Sequence, residues 1–436
     1  MNDNLSSNRL RTEDEQSEES VHVKARHYFN RAMDVFNFVK TSVAEKPLTM
    51  SWRDQAYKSV SIRILRTCGH YDAILEMLYD SPHYSDSVRL AMENISPSKH
   101  DLSQVEGALV FAVTNHPTNY HIYAEALRLI SDIAKLKPLT PSTQRIVIQA
   151  LQVFPEEKPL LLIGIQIAEL AVSYNENNED VYFLELEYFA MVYVGMVQFA
   201  NDKSVQMDCH KLFIHVYQTP QYKSLLASDH ISQHMLNSLV IFGNDEEMVY
   251  LILRLLVEVT CECTWEMKRI MGHRIDEVHN SVKKHLKNRI INIHALLYVV
   301  NLSPILLHFD AIQFAFDIMC RFSSDQQIQE VSWLIIYNVT QFQPRGHSSV
   351  LDLKDDNACK FSVAAVLKHP QNTKIAAFAL GTLANLAAEF DHSYELRELY
   401  KELGLRTSAA NAVIQGEETG DIRLRYEAQG LLDIIW

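Results

Sequence analysis

Asparagine recurs at one position of a short pattern in the last third of the chain. Asn301, Asn338 and Asn385 lie in the segments Y-V-V-N-L-S, I-I-Y-N-V-T and T-L-A-N-L-A, which share the order apolar-x-x-polar-apolar-small. An amide offers a donor and an acceptor, which match the N–H and C=O groups that an extended peptide exposes. A row of such amides would hold a peptide main chain without reading its sequence. The alternative is a structural role, in which each amide bonds a neighbouring helix end and ties one repeat to the next.

The same pattern recurs along most of the chain with other polar residues, and we name its polar residue the ladder position. Successive ladder positions are 37 to 48 residues apart, which is close to the period of roughly 40–47 residues of helical solenoid repeats. The ladder positions are Asn94, Asp132, Glu169, His215, Glu258, Asn301, Asn338, Asn385 and Asp433.

Acidic ladder positions predict a different chemistry in the middle of the row. Carboxylates at Asp132, Glu169 and Glu258 would attract a lysine or arginine of a partner. Arg128 and Arg254 lie one helical turn before Asp132 and Glu258. A local ion pair at these two positions is therefore the interpretation we favour.

Residues 265–293 form a strongly basic stretch. Its cations include Lys283, Lys284, Lys287 and Arg289. Val278, Val282, Leu286 and Ile290 have the spacing of a buried stripe, which predicts one long helix with the cations on the opposite face. Such a patch would suit nucleic acid or an acidic partner, although a solvated face is the more frequent explanation of a charged helix surface.

The sequence predicts no catalytic residue, no metal ligand and no cofactor. The close cysteine pair Cys261 and Cys263 lacks a second pair at zinc-site spacing, and there is no H-E-x-x-H segment. The 12 glycines form no phosphate-binding loop and no nucleophile elbow. We therefore expect a protein that is not an enzyme.

Composition indicates the elements that must position these residues. Apolar residues make up 47% of the chain, and Gly and Pro number only 12 each, which disfavours turn-rich β folds and indicates an all-α protein. The net charge of −14 disfavours a surface that binds phosphates throughout. Residues 1–20 are acidic and polar, and we expect a disordered tail there and one helical repeat domain over residues 21–436.

The segments that end at Ser303, Thr340 and Ala387 resemble the third helix of armadillo repeats. This resemblance implies a superhelix whose third helices line a groove, with the asparagines holding the main chain of an extended peptide. Importin-type members carry tryptophan four residues before the ladder asparagine, where this chain has Leu297, Leu334 and Gly381. The resemblance therefore does not imply binding of nuclear signals by stacked tryptophans.

These observations predict an all-α, right-handed α-solenoid of about nine armadillo/HEAT-like repeats. We expect a scaffold or adaptor that captures an extended or helical segment of another protein in a concave groove. The groove residues would be Asn301, Asn338, Asn385, Glu258 and His215. The alternative is a structural subunit of a larger chromatin-associated or ubiquitin-ligase complex, with the basic helix on nucleic acid or an acidic partner.

Compartment follows from two further features of the sequence. The six cysteines are too sparse for a disulfide framework, and the N-terminus does not have the layout of a secretory signal. No stretch reaches the roughly 20 apolar residues of a membrane span. We expect a cytoplasmic or nuclear protein that is not inserted in a membrane.

Overall fold

The computed structural model describes residues 74–75, 78–79, 85–98, 101–176, 186–218, 229–306, 310–342, 356–369, 371–389, 398 and 400–435. These residues form helices and their connections and contain no strand, so the all-α prediction is confirmed for them. The chain divides into two compact units, residues 1–198 and 199–436. The predicted acidic tail over residues 1–20 lies outside the described residues.

The first unit is built of two helical layers. Helices α1, α3 and α5 pack side by side in one layer, and α2, α4 and α6 pack side by side in the other. The bounds are α1 Ser85–Asn94, α2 Leu102–Asn115, α3 Tyr120–Ala134, α4 Pro141–Val153, α5 Lys158–Glu176 and α6 Leu186–Gln198.

The second unit has twelve described helices in a similar arrangement. Helices α7, α9, α12, α14, α16 and α18 pack in sequence against one another, and α8, α11, α13, α15 and α17 each pack on the following helix. The bounds are α7 Lys203–Tyr217, α8 Asp229–Phe242, α9 Glu246–Glu262, α10 Trp265–Gly272, α11 Ile275–Val282, α12 Arg289–Leu302, α13 Ala311–Arg321, α14 Gln326–Phe342, α15 Asp356–Lys368, α16 Thr373–Glu389, α17 Leu405–Thr419 and α18 Ile422–Ile435.

In each unit the ladder positions lie on the helices of one layer, and we name these helices the ladder layer. It comprises α1, α3 and α5 in the first unit and α7, α9, α12, α14, α16 and α18 in the second. In each unit the helices of this layer contact their neighbours in sequence order, which is the arrangement of an α-solenoid. The sequence period therefore identified the repeating element correctly, while the right-handed sense and the armadillo or HEAT subtype remain predictions.

Short polar residues fix where the ladder-layer helices begin. Asp202, Asp245 and Asn288 cap α7, α9 and α12 with side-chain oxygens that accept from backbone N–H groups of the first turn. Asp325, Asn372 and Asp421 do the same for α14, α16 and α18. A cap of this kind is worth about 1 kcal/mol to the free energy of unfolding.

A second set of amides, four residues after the cap, is buried. Gln206, Asn292 and Gln329 are at most 5% exposed, and each donates from its side-chain nitrogen to a carbonyl oxygen of the preceding turn or helix end. Carbonyls at a helix end have no partner within the helix. These amides therefore join the end of one helix to the start of the next, a role that the sequence analysis missed.

Candidate protein-binding face

The three asparagines predicted to hold a peptide each reach back to the preceding helix of the ladder layer. The Nδ2 of Asn338 donates to Ser303 Oγ at 3.2 Å, and that of Asn385 donates to Thr340 Oγ1 at 3.2 Å. The Nδ2 of Asn301 lies 3.0 Å from Thr260 Oγ1. The donor side of each amide therefore ties one repeat to the next, as the structural alternative proposed.

Each hydroxyl in these ties donates a hydrogen bond to a backbone carbonyl three or four residues earlier in the chain. Thr260 Oγ1 donates to Leu256 O at 2.7 Å, Ser303 Oγ to Val300 O at 2.8 Å and Thr340 Oγ1 to Tyr337 O at 2.9 Å. Each hydroxyl oxygen is thereby oriented to accept from the asparagine of the following repeat. The result is a three-group relay of amide, hydroxyl and carbonyl, found at three successive junctions.

The relay explains the last residue of the repeated pattern. Thr260, Ser303 and Thr340 occupy the position two residues after a ladder position, and each is followed in the next repeat by asparagine. Where the pattern ends in Ala134, Ala171 or Ala387, the next ladder position is Glu169, His215 or Asp433. Each asparagine therefore follows a repeat that supplies a hydroxyl, which was a signal available in the sequence, whereas the hydroxyl of Ser96 is followed by Asp132.

The acceptor side of the same amides is free for a partner. No hydrogen bond to the Oδ1 of Asn301, Asn338 or Asn385 occurs among the described residues, and all three side chains are half-exposed. The three oxygens lie at the same register of successive ladder-layer helices. They form a row of acceptors that could take N–H groups of an extended chain.

The two other predicted groove residues are exposed. His215 and Glu258 lie in the last turns of α7 and α9. The Tyr217 hydroxyl donates to the backbone carbonyl of Glu258 at 2.7 Å, so this junction is tied by tyrosine. Both side chains lie on the ladder layer, and a role in binding stays a prediction.

The structure forms one of the two predicted local ion pairs. Arg128 contacts Asp132 at 3.6 Å and Glu125 at 2.7 Å, and it also donates to Met92 O of the preceding ladder-layer helix at 3.2 Å. Within the described part of the chain, Arg254 makes no ion pair with Glu258. Its guanidinium donates to the Tyr250 hydroxyl at 3.4 Å, which leaves the Glu258 carboxylate available.

Close helix contact explains the glycine at the position of the importin-type tryptophan. A Cβ added to Gly381 would lie 2.6 Å from the ring of Tyr337 and 2.7 Å from Glu427 Oε2. The Tyr337 hydroxyl donates to Glu427 Oε1 at 2.7 Å, and Arg423 stacks on the Tyr337 ring. Burial and the adjacent carboxylate raise the pKa of the Tyr337 hydroxyl. The space that a tryptophan would need is filled by this cluster.

The predicted long basic helix is wrong. Helix α11 ends at Val282, a 3-10 turn covers Lys283–His285, and α12 begins at Arg289. Asn288 causes the break because its side chain caps α12. Ile290, expected in the buried stripe, is 51% exposed.

The predicted basic residues consequently separate into two groups. Arg289 pairs with Asp325, the cap of α14, and this pair holds the pKa of the Asp325 carboxyl below its usual range. Lys283, Lys284 and Lys287 are exposed and form no ion pair with a described residue. The candidate anion-binding group is therefore these three lysines without Arg289.

A buried polar cluster joins α7 to α8. His210 is fully buried, its Nδ1 donates to Gln206 O at 2.6 Å, and its Nε2 has no partner among the described residues. Gln206 Oε1 accepts from His234 Nε2 and from Ser238 Oγ, each at 3.1 Å. Burial lowers the pKa of His210 to about 4. The cluster therefore requires a neutral His210.

The described residues hold neither a candidate metal site nor a membrane-spanning helix. They contain no group of three or more His, Cys, Asp or Glu side chains placed to hold a metal ion. They also contain no helix long and apolar enough to cross a membrane. Cys261 and Cys263 are free thiols.

Comparison with known proteins finds similarity in structure. No protein-family model matches it, and no curated protein matches it. Fifteen chains of solved structures match it in structure. One of them belongs to a structure from work described as "A conserved phosphorylation switch controls the interaction between cadherin and beta-catenin in vitro and in vivo". The match to this structure covers 88% of this chain and 86% of that chain, with 12% sequence identity and a TM-score of 0.47. This likeness is too distant to assign a partner.

Proposed function

We propose that the chain is a protein-binding scaffold whose second unit holds an extended segment of another protein on the ladder layer. The observation that carries this proposal is the row of amide oxygens on Asn301, Asn338 and Asn385, which are half-exposed and free of partners among the described residues. Each oxygen would accept one main-chain N–H of the bound segment. Affinity would come from these bonds and specificity from flanking side chains.

The flanking side chains favour a segment with cations near one end. Glu258 lies on the helix before the asparagine row, its carboxylate is exposed, and Arg254 leaves it unpaired. A lysine or arginine of the bound segment would meet this carboxylate beside Asn301. His215 lies one ladder-layer helix further and would contact the same end of the segment.

The proposal is tested with peptides selected for binding to the full chain from a random peptide display library. Replacing Asn301, Asn338 and Asn385 together by Ala removes the acceptor oxygens and should weaken such a peptide at least tenfold. The same change also breaks three ties between repeats, so lost binding could reflect lost stability. A variant that breaks the ties and keeps the oxygens separates these two effects.

The matched control is Thr260→Val, Ser303→Ala and Thr340→Val combined. This variant loses the same three hydrogen bonds but keeps every asparagine. We expect it to bind the peptide within about threefold of the natural chain while melting at a lower temperature, as the Ala variant does. Equal loss of binding in both variants would show that the asparagines act through stability alone and would overturn the proposal.

The second candidate function is that of a subunit that contacts nucleic acid or an acidic partner. It is favoured by the exposed group of Lys283, Lys284 and Lys287, which forms no ion pair within the described residues. Charge reversal of the three lysines should weaken retention of a duplex oligonucleotide and flatten its salt dependence. Unchanged retention would exclude this function.

A further inference from the structure

A cavity of about 610 Å³ opens beside Trp265 in the second unit. Its apolar wall includes Trp265, Pro304, Ile305 and Leu306. The Trp265 side chain is 62% exposed, although it starts helix α10 with a cap from Thr264. The volume falls in the range of about 300–1,000 Å³ that is usual for ligand sites. An exposed indole at such a cavity has a face available to a ligand.

The charged residues of the cavity leave one carboxylate without a cation. Glu266 and Arg269 pair with each other at 2.8 Å. Asp276, in the first turn of α11, is exposed and makes no ion pair or hydrogen bond among the described residues. The adjacent Arg274 is engaged by Glu277 at 2.6 Å. The Asp276 carboxylate therefore gives this apolar cavity an unneutralised negative charge.

An exposed indole and a free carboxylate at one apolar cavity are complementary to a planar cation. A cation over a tryptophan face is attracted by the ring quadrupole, and arginine provides it most often. The guanidinium also pairs with carboxylates in a fixed geometry, while the methylene stem packs on apolar surface. Pro304, Ile305 and Leu306 supply that surface. The net charge of −14 would steer a basic segment toward the chain.

We propose that this cavity binds an arginine of a partner protein, with the guanidinium on the Trp265 indole and against the Asp276 carboxylate. The residues of this site lie on α10, α11 and the 3-10 turn Ser303–Ile305, and none is a ladder position. The site is therefore distinct from the asparagine row, although Asn338 donates to Ser303 at the start of this 3-10 turn. We expect the bound segment to carry an apolar residue next to this arginine.

The probe is a fluorescent seven-residue peptide with a central arginine between two leucines, measured by anisotropy on the full chain. The measurement is made at pH 8, where an ordinary histidine side chain is neutral. The same peptide with citrulline in place of arginine keeps the shape and removes the charge. We expect the arginine peptide to bind at least fivefold more tightly than the citrulline peptide, and more weakly as salt increases.

Variants of the chain locate the binding site. Trp265→Ala should weaken the arginine peptide by about three- to thirtyfold, since a cation–aromatic contact has that range of effect. Asp276→Asn should weaken it by about two- to fivefold, as expected for an exposed ion pair, and should flatten the salt dependence. Asp317→Asn is the matched control, because it removes the same charge from helix α13, which does not line the cavity.

Three results would overturn the proposal. They are equal binding of the arginine and citrulline peptides, no effect of Trp265→Ala, or an equal effect of Asp276→Asn and Asp317→Asn. Circular dichroism and thermal melting of each variant would establish that the fold is retained. Asn385→Ala, which breaks a ladder tie to Thr340 outside the cavity, should bind the probe normally, so failure here leaves the ladder proposal untouched.

Discussion

The tie between Asn385 and Thr340 is tested by a double-mutant cycle with Thr340→Val and Asn385→Ala. The two side chains share one neutral hydrogen bond of 3.2 Å, and both are half-exposed. A neutral bond contributes about 0.5–1.5 kcal/mol to the free energy of unfolding. Because water can reach both groups once the bond is broken, we expect a coupling energy near the lower end, about 0.5–1 kcal/mol.

The junction between Asn301 and Thr260 provides an internal comparison. The Nδ2 of Asn301 also contacts Val257 O at 3.1 Å and Cys261 Sγ at 3.2 Å. After Thr260→Val the amide keeps these acceptors, so the coupling energy should be smaller than at the Asn385 junction. Asn301→Ala alone should cost more than Asn385→Ala, because it removes more contacts.

The assay must report on individual repeats, because solenoids can unfold in parts. Native-state hydrogen exchange of backbone amides at the end of α14 and in α16 gives local opening free energies for the Asn385 cycle. Urea unfolding followed by circular dichroism gives the global value. Coupling within about 0.3 kcal/mol of zero at the Asn385 junction, or larger coupling at Asn301 than at Asn385, would refute the relay as a source of stability.

Three further predictions concern stability. Burial lowers the pKa of His210 to about 4 from its ordinary value of 6.5. Between these two pH values the unfolded chain binds more protons than the folded chain, so about 3 kcal/mol of the free energy of unfolding is lost as the pH falls from 6.5 to 4. His210→Asn should reduce this loss, as measured by urea unfolding at each pH. Gly381→Ala should cost about 1–3 kcal/mol through the clash with the tyrosine ring, whereas Gly430→Ala, with open space around it, should raise the melting temperature. Asp325→Ala should cost about 1 kcal/mol in urea unfolding by removing a helix cap, and Arg289→Ala less, since only the exposed pair is lost.

The sequence period predicted the repeating helix because burial of the helix imposes a regular spacing on its apolar residues. Every ladder-layer helix must pack on two neighbours, so its apolar spacing recurs whatever the loops between repeats contain. Within each unit the ladder positions therefore fell on a single layer. The short helix break before Asn288 was missed because Val278, Val282, Leu286 and Ile290 keep helical spacing across it. A cap signal, Asn288 before an apolar run, competed with that periodicity and determined the start of α12.

The candidate site was predicted as a row of side chains, and binding there stays a prediction. The sequence singled out Asn301, Asn338 and Asn385 but left open whether they hold a partner or a neighbouring repeat. Reading each asparagine together with the hydroxyl of the preceding repeat would have identified the tie. The cavity at Trp265 could not be anticipated, because α10, α11 and the turn at Pro304 meet only through tertiary packing.

The relay has a direction, since the later helix donates and the earlier helix accepts. A repeat unit ending in alanine, as at Ala387, can follow a hydroxyl-bearing unit but cannot precede one that carries asparagine without leaving that amide unsupported. Duplication or reordering of repeats within such a gene would therefore be constrained, because each asparagine needs a hydroxyl on the repeat before it. Engineers who lengthen or reorder this array should transplant adjacent pairs that carry both halves of a tie.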